Sequence, residues 1–174
     1  MNEKKSSYDQ TAITFTAKCE LDNVEDAHQI FSEKGIFAIM PVPKNEADSS
    51  HTIVWSVDNK NITDNNIENY VYSNISYFEK KLATKIEVNS EILNFKLFNH
   101  HFEDYISDHI VLVGDAAHSI HPLAGQGVNL GFADADALCE EIADSYERSI
   151  YIDQATTLKR YEKKKKNMNL LMLK

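Results

Sequence analysis

Glycine is scarce in this chain of 174 residues, which holds only Gly35, Gly114, Gly125, Gly127 and Gly131. They do not make the strand-linked G-x-G-x-x-G turn on which a dinucleotide pyrophosphate usually rests. Gly125, Gly127 and Gly131 approach that spacing, but the strand signal before them stops at Gly114, eleven residues too early. No Asp-Gly pair occurs. Cysteine is scarcer still. Cys19 and Cys139 are far apart and in no C-x-x-C pair, which excludes a zinc ribbon or a thioredoxin-like site. A reduced, cytoplasmic setting is the default, with both thiols expected as small packed side chains. Positive charge is short: 18 Lys and Arg against 27 Asp and Glu leave a net −9, which argues against nucleic acid as a partner and suits solubility. No apolar run approaches the roughly 18 residues of a membrane-spanning helix, and no signal-peptide pattern opens the sequence. Internal repeats and low-complexity linkers are also missing.

What is present suffices for a packed core, since 43% of the residues are hydrophobic. The length fits one domain or two small lobes. Residues 1–7 are polar and expected to fray. From Tyr8 to Ile106 the chain reads as strands with one helical insert. Thr11–Ala17 roughly alternates, Ile36–Met40 is continuously apolar, and Thr52–Val57 is rich in β-branched residues. Asp64–Leu82 carries Ile67, Val71, Ile75 and Phe78 at helical spacing, and Glu91–Tyr105 returns to strand character with Phe95 and Leu97 on one side. Such a run favours an antiparallel or mixed sheet.

After Ser107 the texture changes. Ile110–Val113 is apolar on both faces and reads as a central strand of a covered parallel sheet. A glycine-bearing loop follows, then a helix over about Gly127–Tyr146. Val128, Phe132, Ala135, Leu138 and Ile142 are its expected buried stripe, with Asp134, Asp136, Glu140, Glu141 and Asp144 toward water. Asp153 is placed to cap a last helix through Leu158 and Tyr161. The reading is α/β overall: a mixed-sheet lobe over 8–106, then a strand–helix part of a Rossmann-like lobe over 107–174.

The stretch with most chemistry runs from Val113 to Gly131. A missing side chain at Gly114 lets a ligand approach the backbone. Asp115 then stands at the carboxyl end of a strand, where open α/β sheets bind ligands and where a carboxylate accepts hydrogen bonds from sugar-like hydroxyls. Gly125 and Gly127 bring bare backbone to a helix start, whose free N–H groups favour negative charge.

The run His121-Pro122-Leu123-Ala124-Gly125-Gln126-Gly127-Val128-Asn129-Leu130-Gly131, with Asp134 three residues on, resembles the second flavin motif of the ubiquinone-biosynthesis hydroxylases. These are FAD-dependent aromatic-ring monooxygenases. Weaker likeness extends over the Tyr8–Ala17 strand, Trp55, His101 and Arg160-Tyr161-Glu162. The resemblance implies a substrate-binding lobe over 8–106 and the C-terminal part of an FAD-binding lobe over 107–174. It further implies that Asp115, beside Gly114, holds the ribityl hydroxyls of FAD, and that Pro122 lines the flavin face where oxygen adds. It implies cofactor contacts at Gly125, Gln126, Gly127, Val128 and Asn129, the last three pointing backbone N–H groups at the pyrimidine edge of the ring. In the family NAD(P)H reduces FAD, a flavin hydroperoxide forms, and a polyprenylated phenol is hydroxylated. The family's N-terminal glycine-rich turn is not in this sequence, so the chain reads as a C-terminal half, truncated and inactive in isolation. The alternative is a non-catalytic fragment or interaction module that keeps the fold without FAD.

Plainer readings stand beside these. His118-x-x-His121 is more simply loop packing than a metal pair, because Pro122 breaks a rigid helical face. His100 and His101, as strand neighbours, point to opposite faces. Asp115 alone also fits a turn cap. Lys163–Lys166 reads as a solvated helix face, or as a contact to the inner membrane surface or to other ubiquinone-biosynthesis proteins, given lipid-tailed substrates. The both-faced apolar strand Ile110–Val113 implies that the isolated chain self-associates.

Overall fold

The structure, a computed structural model, describes residues 2–21, 25–42, 50–62, 66–108, 110–121, 126–152 and 154–172. In chain order its elements are β1 (Glu3–Lys18), β2 (His28–Ser32), β3 (Gly35–Pro41), β4 (Ser50–Asp58), α1 (Ile67–Leu82), β5 (Glu87–Val88), β6 (Leu93–Phe102), β7 (Ile106–Ser107), β8 (Ile110–Val111), β9 (His118–Ser119), α2 (Gln126–Glu147) and α3 (Lys159–Met172). Short 3-10 turns fall at Asn59–Asn61 and Gly114–Ala116, and a π-helical turn, Gln154–Leu158, leads into α3. The chain divides into two compact units: Asp9–Leu97, and Met1–Tyr8 with Phe98–Lys174.

In the first unit β2, β3, β4 and β1 lie side by side, and β5 pairs with the end of β1. The registered pairs are antiparallel, with Ile13 opposite Trp55 and Phe37 opposite Trp55 on its other side. Alternation sends His51, Ile53, Trp55 and Val57 of β4 inward, and the last three pack with Ile13, Phe15, Phe37 and Ile39. Tyr70, Val71, Ile75 and Phe78 of α1 complete this core. Their i, i+1, i+5, i+8 spacing lays one stripe of the helix on the sheet. Asn66 caps α1 by accepting from the amides of Glu68 and Asn69 at 2.9 and 3.4 Å. The indole of Trp55 donates to the Lys34 carbonyl at 2.8 Å. At the tight turn before β3, Gly35 has φ +105°, and a Cβ there would meet the Ser56 oxygen at 2.1 Å. Only glycine fits.

The expected strands over 11–17, 36–40 and 52–57 lie in β1, β3 and β4, and the helical spacing after Asn66 is α1. β2 carries no apolar run and gave no signal. Phe95, read on one side of its strand with Leu97, is exposed in β6. Cys19 is buried, and burial followed by the charge of Glu79 pushes its thiol up to about 11. Cys139, expected to be packed, is exposed.

In the second unit the opening residues do not fray: Glu3–Tyr8 form the first half of β1. A partner strand holds them. The Glu103 amide donates to the Asn2 carbonyl at 2.8 Å, and Ser6 donates to Asn99 at 2.6 Å, so this part of β1 runs antiparallel to β6. On its other side β6 pairs with β9, His101 opposite His118. Ile110–Val113 is not a central parallel strand. Only Ile110–Val111 is paired, antiparallel with β7, and Ile110 is 62% exposed. Asp108, at φ 49°, turns the chain back on itself there. Val111, Leu112 and Val113 pack instead against Tyr105, Ala137, Leu158 and Tyr161. The α/β class read from the sequence holds, with an antiparallel sheet and, among the described residues, three α-helices.

Candidate functional site

The candidate site is built at one turn. Val113 arrives extended, and Gly114 takes φ +59°, a left-handed conformation that glycine adopts freely. The 3-10 turn Gly114–Ala116 follows, closed by the Ala117 amide donating to the Gly114 carbonyl at 2.8 Å. β9 then pairs back onto β6. Gly114 is buried and Asp115 exposed, so the glycine fixes the turn and the carboxylate projects from it. A Cβ on Gly114 would lie 3.3 Å from the Gly131 Cα, so α2 crosses directly over the turn.

That crossing brings the start of α2 to Asp115. A Cβ on Gly127 would sit 3.9 Å from Asp115 Oδ1. The amides of Gln126, Gly127 and Val128 stand in the first turn of α2, ahead of its first i to i+4 bond, so an acceptor carboxylate and a set of donors lie side by side. Of the residues read as cofactor-binding, Gly114, Asp115, Gln126, Gly127, Val128 and Asn129 are thus brought together. Pro122 and Gly125 lie outside the described residues.

The buried face of α2 differs from the expected stripe. Val128 and Phe132 are 66% and 71% exposed, Ala135 is exposed, and Asp134, expected toward water, is fully buried. The face that packs is Gly127, Leu130, Gly131, Asp134, Ala137, Leu138 and Ser145. Close approach to the Gly114 turn requires small residues, and that requirement overrides side-chain hydrophobicity. Asp134 Oδ2 accepts from the Gly114 amide at 3.0 Å and lies 2.7 Å from His118 Nε2. Its Oδ1 is 3.3 Å from both Lys165 Nζ and Asn169 Nδ2. Burial alone would raise this carboxyl, but the bonds from His118, Gly114 and Asn169 outweigh it and hold the group below its usual range.

The lysine run is therefore not wholly solvated. Four consecutive lysines on a helix cover every side of it, and Lys165 is the one turned inward, 3% exposed. Lys164 pairs with Glu140, and Lys166 donates to the Glu103 carbonyl. Around Lys165 on α3, Tyr161 donates to the Leu112 carbonyl at 2.9 Å and Glu162 accepts from the Tyr105 amide at 2.7 Å. Burial pushes the Tyr105 hydroxyl up to about 12 and the Tyr161 hydroxyl higher still, so both remain neutral. Lys165 and Asn169 were not read from the sequence as site residues, and Asp134 was read only as a position of the flavin motif. Their signals were the i, i+4, i+8 spacing of Tyr161, Lys165 and Asn169, and Asp134 in register with the glycines of α2.

The FAD binding domain family matches residues 2–169. This chain belongs to that family. It is 30% identical over 168 residues to 3-demethoxyubiquinol 3-hydroxylase of Escherichia coli, covering 95% of this chain and 41% of that protein. Ubiquinone hydroxylase UbiL of Rhodospirillum rubrum is 28% identical, over 95% of this chain and 38% of its own length. This FAD-binding domain thus spans about two fifths of the length of these curated relatives. Its fold superposes on PqsL, a probable FAD-dependent monooxygenase from Pseudomonas aeruginosa, with a TM-score of 0.66 at 18% identity, covering 98% of this chain and 47% of that one. The resemblance read in the run from His121 to Gly131 therefore extends along nearly the whole sequence. Among the described residues no helix is long and apolar enough to cross a membrane.

Proposed function

We propose that this chain supplies the ribityl and ring-edge part of an FAD site in a monooxygenase that hydroxylates a polyprenylated phenol during ubiquinone formation, with NAD(P)H as reductant. The observation that carries the reading is the exposed carboxylate of Asp115 held beside the free amides at the start of α2. A flavin needs both: an acceptor for its ribityl hydroxyls, and donors where negative charge develops on the ring. Asp115 accepts from the hydroxyls, and the Gly127, Val128 and Asn129 amides face the pyrimidine edge. The family resemblance assigns Pro122 to the ring face. The exposed side chains of Val128 and Phe132 give the ring neighbourhood an apolar rim that sheds water when a lipid-tailed substrate arrives.

The bound cofactor supplies two-electron reduction and oxygen activation, and the protein supplies placement, polarity and dryness. One oxygen atom enters the ring and the other leaves as water, using the hydride of NAD(P)H and one proton. Incubation of this chain, completed with a pyrophosphate-binding part of the FAD site, with FAD, NADH or NADPH, a short-chain polyprenyl phenol and 18O2 tests this reading. One 18O atom in the ring product is expected, with Asp115→Ala abolishing it. Oxidation of the nicotinamide with all reduced oxygen recovered as hydrogen peroxide counts against it.

A further inference from the structure

One carboxylate grips both ends of the turn that carries Asp115. Gly114 and His118 bracket that turn, and both bond the same oxygen of Asp134, at 3.0 and 2.7 Å. The other oxygen meets Lys165 and Asn169 of α3. Asp134 and His118 are buried at the level of the hydrophobic core, as is Lys165. Buried ion pairs add little to stability over apolar residues of similar volume, so stability alone does not account for charge at this position. Geometry does. A left-handed glycine followed by a 3-10 turn is one of several conformations open to so flexible a segment, and a fixed acceptor for the Gly114 amide selects it.

We propose that Asp134 is a positioning residue: it sets the Gly114–His118 turn, and with it the place of Asp115, while Lys165, 3.3 Å from its other oxygen, ties the carboxylate to α3. The last helix then belongs to the site through the core. The further step from turn geometry to cofactor binding rests on the proposed role of Asp115 as a ribityl acceptor.

Two double variants of the full chain separate positioning from packing. Asp134→Leu with Lys165→Met removes both charges and the acceptor, leaving no orphan ion. Asp134→Asn with Lys165→Met removes the charges but keeps an acceptor oxygen. Amide hydrogen exchange is measured at Gly114 and Ala117 without flavin, against Ile75 and Phe78 of α1 as internal references. The account expects at least tenfold faster exchange at Gly114 and Ala117 in the Leu/Met protein, with α1 unchanged, and recovery of most of that protection in the Asn/Met protein. Equal protection in the two variants would mean that Asp134 merely fills space, and the proposal would be dropped. If the Leu/Met protein does not fold, the Asn/Met protein decides alone. Its Gly114 amide proton must move upfield as a neutral oxygen replaces a carboxylate, and an unmoved resonance overturns the idea. FAD titration of the same proteins separates the two roles. Exchange in the expected order with no change in flavin affinity keeps the turn-setting role of Asp134 and removes the cofactor role of Asp115.

Discussion

His100 Nε2 lies 2.7 Å from the backbone oxygen of Asp115, so a strand side chain holds the carbonyl of the residue whose carboxylate faces outward. The other ring nitrogen is 3.0 Å from Glu3 Oε1. Glu3, on the part of the chain expected to fray, thus reaches the site through one imidazole. His100→Ala should cost roughly 0.5–1.5 kcal/mol, the usual net worth of a hydrogen bond, by urea unfolding. The Ala116 amide shares the peptide unit of that carbonyl, and its resonance should shift in the variant. An unmoved Ala116 signal would show that the bond is not formed in solution.

Two glycines that face each other should respond oppositely to alanine. Gly114 has φ +59° and a Cβ there meets the Gly131 Cα at 3.3 Å, whereas a Cβ on Gly131 meets only ordinary contact at 3.5 Å. Gly114→Ala should destabilise by about 1–3 kcal/mol through backbone strain. Gly131→Ala, inside α2, should be neutral or gain up to about 1 kcal/mol of helix propensity. Thermal melts of the two variants test this, and an equal loss in both would contradict the geometry described.

Acid should weaken the fold in two steps. Burial, then the charges of Lys166 and His118, hold His101 below its ordinary 6.5, and burial does the same to His121. A histidine kept neutral in the fold contributes stability that is complete above 6.5 and is lost as pH falls toward the depressed value. Asp134 is depressed below 3.8, so its contribution is present above 3.8 and lost as pH falls through its lower folded value. Melting temperature should be level near neutral pH, decline below 6.5, and fall again below 3.8. His101→Gln should shrink the upper step to the His121 share and leave the lower one. A melting temperature unchanged between pH 7 and 5 would contradict the upper step.

The elements legible in the sequence were those with a strong period. Ile67, Val71, Ile75 and Phe78 marked α1, and the β-branched run at Thr52–Val57 marked β4. The approach of the Gly114 turn to the start of α2 was legible in outline too, because glycines on both sides leave bare backbone there. Three features were not. The buried face of α2 is lined by glycine, alanine and aspartate, and hydrophobicity pointed to Val128 and Phe132 instead. Lys165 was hidden in a run that reads as solvated unless the helix is turned so that one lysine faces inward. The segment after Ser107 looked like a central strand because all its residues are apolar, yet Val111–Val113 are covered by α2 and α3, not by strands on either side.

The central claim is that this chain recognises the flavin end of the cofactor, and amide resonance mapping with FMN, FAD and ADP as separate ligands tests it most directly. The account predicts that FMN and FAD shift the same resonances, from Gly114 to Ala116 and from Gln126 to Asn129, with similar affinity. Asp115→Ala should weaken both by roughly 1.5–3 kcal/mol while leaving the melting temperature nearly unchanged, since the carboxylate is exposed. Shifts at these residues with ADP, or none with either flavin, would contradict it.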